Sequence, residues 1–142
     1  MRVFKLAIIF VFAISSVEAI AYAKIQKHHK KVIVNIRTAE LCFSDTGDCH
    51  KVLIGKTTPK GTFDLTLYAT KLPGYGGTVL GFKQEGNFLF ALHRVWTRKP
   101  SERRLERIVS NKVSDRIMTN GCINVTDPIY ERLQNYFVLE VI

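Results

Sequence analysis

From residue 32 onward the chain is cut into short apolar runs separated by glycine, proline, asparagine and aspartate, a pattern that reads mostly as strands. Residues 32–36 are β-branched, and residues 39–43 and 51–54 flank a turn built on Asp45, Thr46, Gly47 and Asp48. Residues 62–70 alternate, residues 79–82 and 88–92 are joined by Glu85, Gly86 and Asn87, and residues 137–142 close the chain. Each of these runs reads as a strand. Leu72, Pro73, Gly74, Tyr75, Gly76 and Gly77 must form a loop, because proline and glycine punctuate any regular element. One helix start is well marked. Thr126 or Asp127 can cap it, Pro128 suits its first position, and Glu131 lies in its first turn. Ile129, Leu133 and Tyr136 then share an apolar stripe. Residues 100–109 are dense in charge, with Leu105 and Ile108 as their few apolar members, and read as an exposed helical turn or flap. The expectation is a single, mainly β domain with one short helix and a charged helical flap.

The start of the chain sets the compartment. Arg2 and Lys5 precede an apolar run at 6–14, and Ala19, Ala21 and Ala23 supply small residues at cleavage spacing. Residues 1–23 read as a secretory signal peptide and residues 24–142 as the domain. Ser15, Ser16 and Glu18 interrupt a stretch that would need about 20 apolar residues to span a bilayer. No later segment is long and apolar enough to do so. Residues 24–31 form a basic leader, expected to be frayed, whose His28 and His29 are solvated. The protein is therefore expected in the periplasm or cell envelope, as a monomer. Its net charge of +9 suits anionic envelope polymers. Nucleic acid is not the expected partner, since the basic residues are dispersed and no nucleic-acid motif occurs.

Three cysteines in an exported chain leave one over. Cys42 and Cys49 flank the turn at 44–48, so a hairpin there would set them opposite each other and allow a disulfide. Two reduced thiols, or a metal site of Cys42, Cys49 and His50, remain alternatives. The metal site would lack a fourth ligand at a usual spacing. Cys122 is the unpaired thiol in all three cases.

Cys122 follows Gly121 and enters the apolar run Ile123, Asn124, Val125, the layout of a nucleophile with backbone N–H groups beside it. His93, which ends the apolar run at 88–92, is the candidate general base. The amides of Gly121 and Cys122 are candidates to hold an oxyanion. Arg116 can clamp a carboxylate bidentately, Asn120 can orient His93 or donate to substrate, and Tyr75 sits in a glycine-rich loop of the kind that acts as a lid. Pro59 and Gly61 are turn formers, and Trp96 is core or groove wall.

The segment Lys56-Thr57-Thr58-Pro59-Lys60-Gly61-Thr62-Phe63 resembles the T-P-x-G-x-F signature of the L,D-transpeptidase (YkuD-type) catalytic domain. His93 and the run Gly121-Cys122-Ile123-Asn124-Val125 resemble that family's upstream histidine and its S-x-G-C motif. The two motifs stand in the family's order, and the resemblance spans the chain from about Val32 to its end. It implies a β-sandwich-like envelope enzyme that acts on peptidoglycan stem peptides and forms an acyl-enzyme on Cys122, with no metal or organic cofactor. The implied reaction crosslinks the cell wall by passing the acyl group to an amine. Transfer to water would make the protein an L,D-carboxypeptidase or amidase-type hydrolase. A fold without turnover would make it a peptidoglycan-binding module. The chain departs from the family pattern at three places. Arg94 follows His93 where glycine is common, Thr119 and Asn120 replace serine and histidine before Gly121, and the stretch between His93 and Cys122 is long and carries the charged residues 98–107.

Overall fold

The computed structural model describes residues 16–142. Residues 1–15, which hold the basic start and apolar run of the expected signal peptide, lie outside them. Helix α1 (Ser16–His29) passes through Ala23, the expected processing point. The leader at 24–31, expected to be frayed, is helical as far as His29 and enters the first strand at Lys31. Among the described residues, no helix is long and apolar enough to cross a membrane.

The body is mainly β, as its alternating runs predict. Strands β1 (Lys31–Asn35), β2 (Glu40–Phe43), β3 (Cys49–Lys51), β5 (Gly61–Asp64) and β11 (Val138–Val141) form a sheet ordered β3-β2-β1-β11-β5. Strands β6 (Thr66–Ala69), β7 (Thr78–Glu85), β8 (Phe88–Arg94) and β10 (Ile123–Val125) form a second, ordered β10-β8-β7-β6. A short parallel pair joins β4 (Ile54–Gly55) to β9 (Ile117–Thr119). Strand β1 buries alternate residues, Val32 and Val34, as a strand does with one face on a core. Both sit in a single cluster with Leu41, Phe82, Leu92 and Leu139, so side chains of the two main sheets interleave as a sandwich. Phe63 and Phe82 meet across it with ring centroids 5.3 Å apart. Strands β7 and β8 instead carry unbroken buried runs in their middles. Helix α4 (Asp127–Leu133) packs against β8.

Two expected strands are divided. The run at 62–70 belongs to both sheets: β5 pairs with β11 and β6 pairs with β7. The crossing falls at Leu65, whose amide donates to the Phe137 carbonyl at 2.8 Å. A period-two pattern cannot signal this, because alternation survives a change of sheet. The second side of the hairpin likewise lies earlier than 51–54. It is β3, while Val52, Leu53 and Ile54 turn into the interior. Cys42 and Cys49 are direct cross-strand partners and are joined in a disulfide. With both sulfurs consumed, the metal reading of Cys42, Cys49 and His50 falls away.

The helix after Cys122 forms where its punctuation places it, although Thr126 caps it without a side-chain hydrogen bond. Tyr130 and Leu133 are its buried residues; Ile129 is half-buried, and Tyr136 is buried just beyond its end. The charged stretch folds as a 3-10 turn (Pro100–Glu102) and helix α2 (Arg104–Val109), followed by the short α3 (Val113–Arg116). Its Ile108 is docked on a small second core with Leu53, Val95 and Met118.

Candidate active site

The site is built where β8 and β10 run side by side. Their parallel register sets Ile123 opposite Leu92, Asn124 opposite His93 and Val125 opposite Arg94. Opposed residues of neighbouring strands share a face, and Cys122, just ahead of β10, is bonded to β8 at Leu89 and Ala91, the residues that alternate with His93 along that strand. Cys122, His93 and Asn124 are thus gathered at one end of the second sheet. The half-buried Cys122 lies just ahead of β10, with its thiol donating to the Leu89 carbonyl at 3.7 Å.

The turn that carries Cys122 is braced by the Thr-Pro motif. Thr58 is buried; its hydroxyl donates to the Gly121 carbonyl at 3.0 Å and accepts from the Gly55 amide at 2.9 Å. Gly121 has φ of +113°, and a Cβ there would lie 2.5 Å from a Phe90 ring carbon. A Cβ on Gly55 would come within 2.4 Å of the Gly121 nitrogen, so the Gly121 backbone can lie this close only because residue 55 is glycine. Thr119 completes the turn: its hydroxyl donates to the Cys122 carbonyl at 2.6 Å and accepts from the Gly121 amide at 3.2 Å. Of the two amides expected to receive an oxyanion, that of Gly121 is therefore already engaged.

His93 is 3 % exposed. Its Nδ1 lies 2.6 Å from the Arg94 carbonyl, which can only accept, so Nδ1 carries the proton. Nε2 is then the lone-pair nitrogen, and Asn124 Nδ2 donates to it at 3.3 Å. The amide's orientation is set from its other end. Asn124 Oδ1 accepts from Arg104 Nη1 at 2.8 Å and from the Trp96 amide at 3.4 Å, both of them donors only. Burial is the main cause that lowers the imidazole pKa to about 4; the Arg94 carbonyl opposes the shift and the Arg104 charge adds to it. Burial also pushes the Cys122 thiol up, against weaker opposite pulls from the Ala91 amide and Arg104. The resting pair is consequently neutral thiol and neutral imidazole, not an ion pair. Among the described residues no hydrogen bond joins Cys122 to His93.

Tyr75 lies over the site, with its ring edge-on to His93 at 4.7 Å. Its loop is fastened below. Arg94 Nη1 donates to the Tyr75 carbonyl at 3.4 Å, Trp96 Nε1 donates to the Pro73 carbonyl at 3.2 Å, and Arg94 also pairs with Glu131. The residue that stands in place of the family's glycine therefore ties down the loop over the histidine. Asn120 is exposed. The asparagine that touches His93 is Asn124, which sequence reasoning passed over as part of an apolar strand; its place two residues after Cys122 was the available signal. Arg116 is 2 % exposed and donates to the carbonyls of Thr38, at 2.6 Å, and Ser110. Its guanidinium ties the charged insertion to the β1–β2 turn. The arginine beside the site is Arg104, within the charged stretch.

No known protein-family description matches the chain, and no curated protein sequence matches it. Solved structures do. An L,D-transpeptidase from Xylanimonas cellulosilytica (residues 123–326) shares 14% identity over 80% of this chain and 60% of that one, with a TM-score of 0.50. L,D-transpeptidase 1 of Mycobacterium tuberculosis shares 14% identity, covering 79% of this chain and 58% of that one, at 0.46. The L,D-transpeptidase (Yku) of Stackebrandtia nassauensis shares 14%, covering 79% and 54%, at 0.47. The chain thus spans between half and two-thirds of the length of the structures it matches. The sandwich has the fold of the L,D-transpeptidases, the family that the chain's two motifs resemble.

Proposed function

We propose that the protein is a cysteine acyltransferase of the L,D-transpeptidase kind that acts on peptidoglycan stem peptides. The observation that carries this reading is the convergence of Cys122 and His93 on one face of adjacent parallel strands, with the Thr58 motif bracing the cysteine turn. Because both groups rest neutral, the thiol proton moves to His93 Nε2 as the sulfur attacks the carbonyl ahead of a terminal D-residue. The Cys122 amide receives the oxyanion. Collapse breaks the C–N bond, the departing amine takes the proton from His93, and a thioester remains on Cys122. An amine of a second stem peptide attacks the thioester, gives its proton to His93 and releases the thiol, which regains that proton. Tyr75 covers the imidazole and excludes water. Export behind residues 1–23, cleaved after Ala23, places the enzyme beside its substrate in this reading.

Disaccharide-peptide fragments incubated with the protein and read by mass spectrometry test the proposal. Crosslinked products and a thioester adduct on Cys122 are expected, and Cys122→Ala should abolish both. Shortened, uncrosslinked stems would assign the acyl group to water instead. Wild-type turnover by Cys122→Ala would refute the nucleophile.

A further inference from the structure

The proton acceptor of the site is already occupied. The Nε2 of His93, the nitrogen without a proton, receives the Asn124 amide, while the Cys122 thiol donates to the Leu89 carbonyl. Nucleophile and base are neighbours on one face, yet each is bonded elsewhere. Besides the Trp96 amide at 3.4 Å, what holds Asn124 in that orientation comes from the charged stretch. Arg104 donates to Asn124 Oδ1 at 2.8 Å, so a flip of the amide would set Nδ2 against a guanidinium N–H, donor against donor.

Arg104 is itself well anchored. Its side chain is 14% exposed, its Nε donates to the Glu102 carboxylate at 2.6 Å, and its guanidinium lies over the Trp96 ring, 5.2 Å from the centroid. The helix that carries it is held by Ile108 in the second core. Arg104 makes no hydrogen bond to the thiol or the imidazole; besides its charge, which lowers the pKa of both, its hold on them passes through Asn124.

We propose that Arg104 is a positioning residue that latches the site: by fixing the Asn124 amide on His93 Nε2, it withholds the base from Cys122 until the insertion shifts. Release of the guanidinium leaves the Asn124 oxygen held only by the Trp96 amide at 3.4 Å and lets the side chain swing off Nε2. Nε2 is then free to take the thiol proton. The insertion, the longest departure from the family pattern, thereby governs when the nucleophile forms. The inference rests on the reading of Cys122 as nucleophile and His93 as base, but it is tested on the thiol alone.

The experiment compares the rate of Cys122 alkylation by iodoacetamide at neutral pH in the full chain and in Arg104→Met, which keeps the stem and removes the donors. Alkylation should be faster by up to roughly a hundred-fold, the lower end of what a general base contributes. Arg104→Lys, which restores a cationic donor, should return the rate toward wild type. The double variant Arg104→Met with His93→Ala should lose the gain. Unchanged thermal unfolding in Arg104→Met would exclude mere loosening of the turn. Should that variant unfold, Asn124→Leu, which frees Nε2 by another route, serves in its place. An unchanged or slower rate with the fold intact would overturn the latch, as would a gain that survives loss of His93. Faster alkylation in a protein that never acylates with a stem peptide would leave the latch standing and refute the proposed reaction instead.

Discussion

The burial of neutral His93 should be visible as a pH dependence of stability. An unfolded histidine titrates at about 6.5, whereas in the fold the ring's pKa is lowered to about 4, chiefly by burial. Between these values the unfolded chain binds a proton that the folded one refuses. Stability is therefore full above pH 6.5, falls as the pH drops toward 4, and loses nothing more from this group below that. The gap of about two and a half pH units, at ~1.4 kcal/mol each, amounts to roughly 3 kcal/mol. For a domain of this size that is a fall in Tm of roughly 10 °C. Urea unfolding at pH 7.5 and at pH 4.5, on wild type and on His93→Gln, isolates the effect. His28, His29 and His50 are present in both proteins and cancel in the comparison. The carboxyls of Asp45 and Asp48, lowered by hydrogen bonds from Tyr136 and Arg132 respectively, titrate below this window and cancel too. His93→Gln should start less stable but lose about 2.5 kcal/mol less between pH 7.5 and 4.5, where most of the gap is crossed. Equal losses in the two proteins, or a His93 imidazole titrating near 6.5 by NMR, would refute the reasoning.

Other perturbations probe the frame around the site. Reducing the Cys42–Cys49 bond, or replacing both residues by serine, should cost about 2–3 kcal/mol, as expected for a short closed loop, and leave the reactivity of Cys122 unchanged; chemical unfolding with and without reductant measures it. Thr58→Val removes a buried hydroxyl that bonds the Gly55 amide and the Gly121 carbonyl, and should cost about 2–4 kcal/mol while slowing Cys122 alkylation. Gly121→Ala puts a methyl 2.5 Å from the Phe90 ring on a backbone at φ +113°, and should abolish acylation and lower Tm by several degrees. Wild-type stability in either variant would refute the brace described for the turn.

What could be read from the sequence and what could not divide along a physical line. Local chemistry was legible. The β-branched and alternating runs gave the strands of a sandwich, a turn between two cysteines gave a hairpin with its disulfide, and a proline after a capping threonine gave α4. Contacts made across the fold were not. Nothing near Leu65 says that alternation continues into a different sheet, and nothing near Arg116 says that its charge will be spent on the carbonyls of Ser110 and Thr38. A basic residue on the segment that leads to a candidate cysteine invites a substrate role, but only burial decides whether its fork is free. Arg104 shows the converse. Set in a run of charges that reads as a solvated flap, it reaches Asn124 because Ile108 docks the segment on Leu53 and Val95.

The Thr-Pro motif carries the same lesson into chemistry. Read along the chain, Pro59 and Gly61 look like turn formers far from Cys122, and Thr58 has no evident task. In the fold Thr58 bridges two backbones, and its task depends on the glycines it joins. The two peptides can approach because Gly55 bears no Cβ, Gly121 leaves room for the Phe90 ring, and the threonine hydroxyl satisfies one buried group on each peptide. The β4–β9 pair adds a second hold on the strand that leads into the turn, setting Gly55 opposite Thr119. A nucleophile needs its backbone held as firmly as its thiol, since a displacement of about 1 Å can cost a hundred-fold in rate. The motif thus fixes where Cys122 stands, and the insertion bearing Arg104 acts on a cysteine whose position is already set.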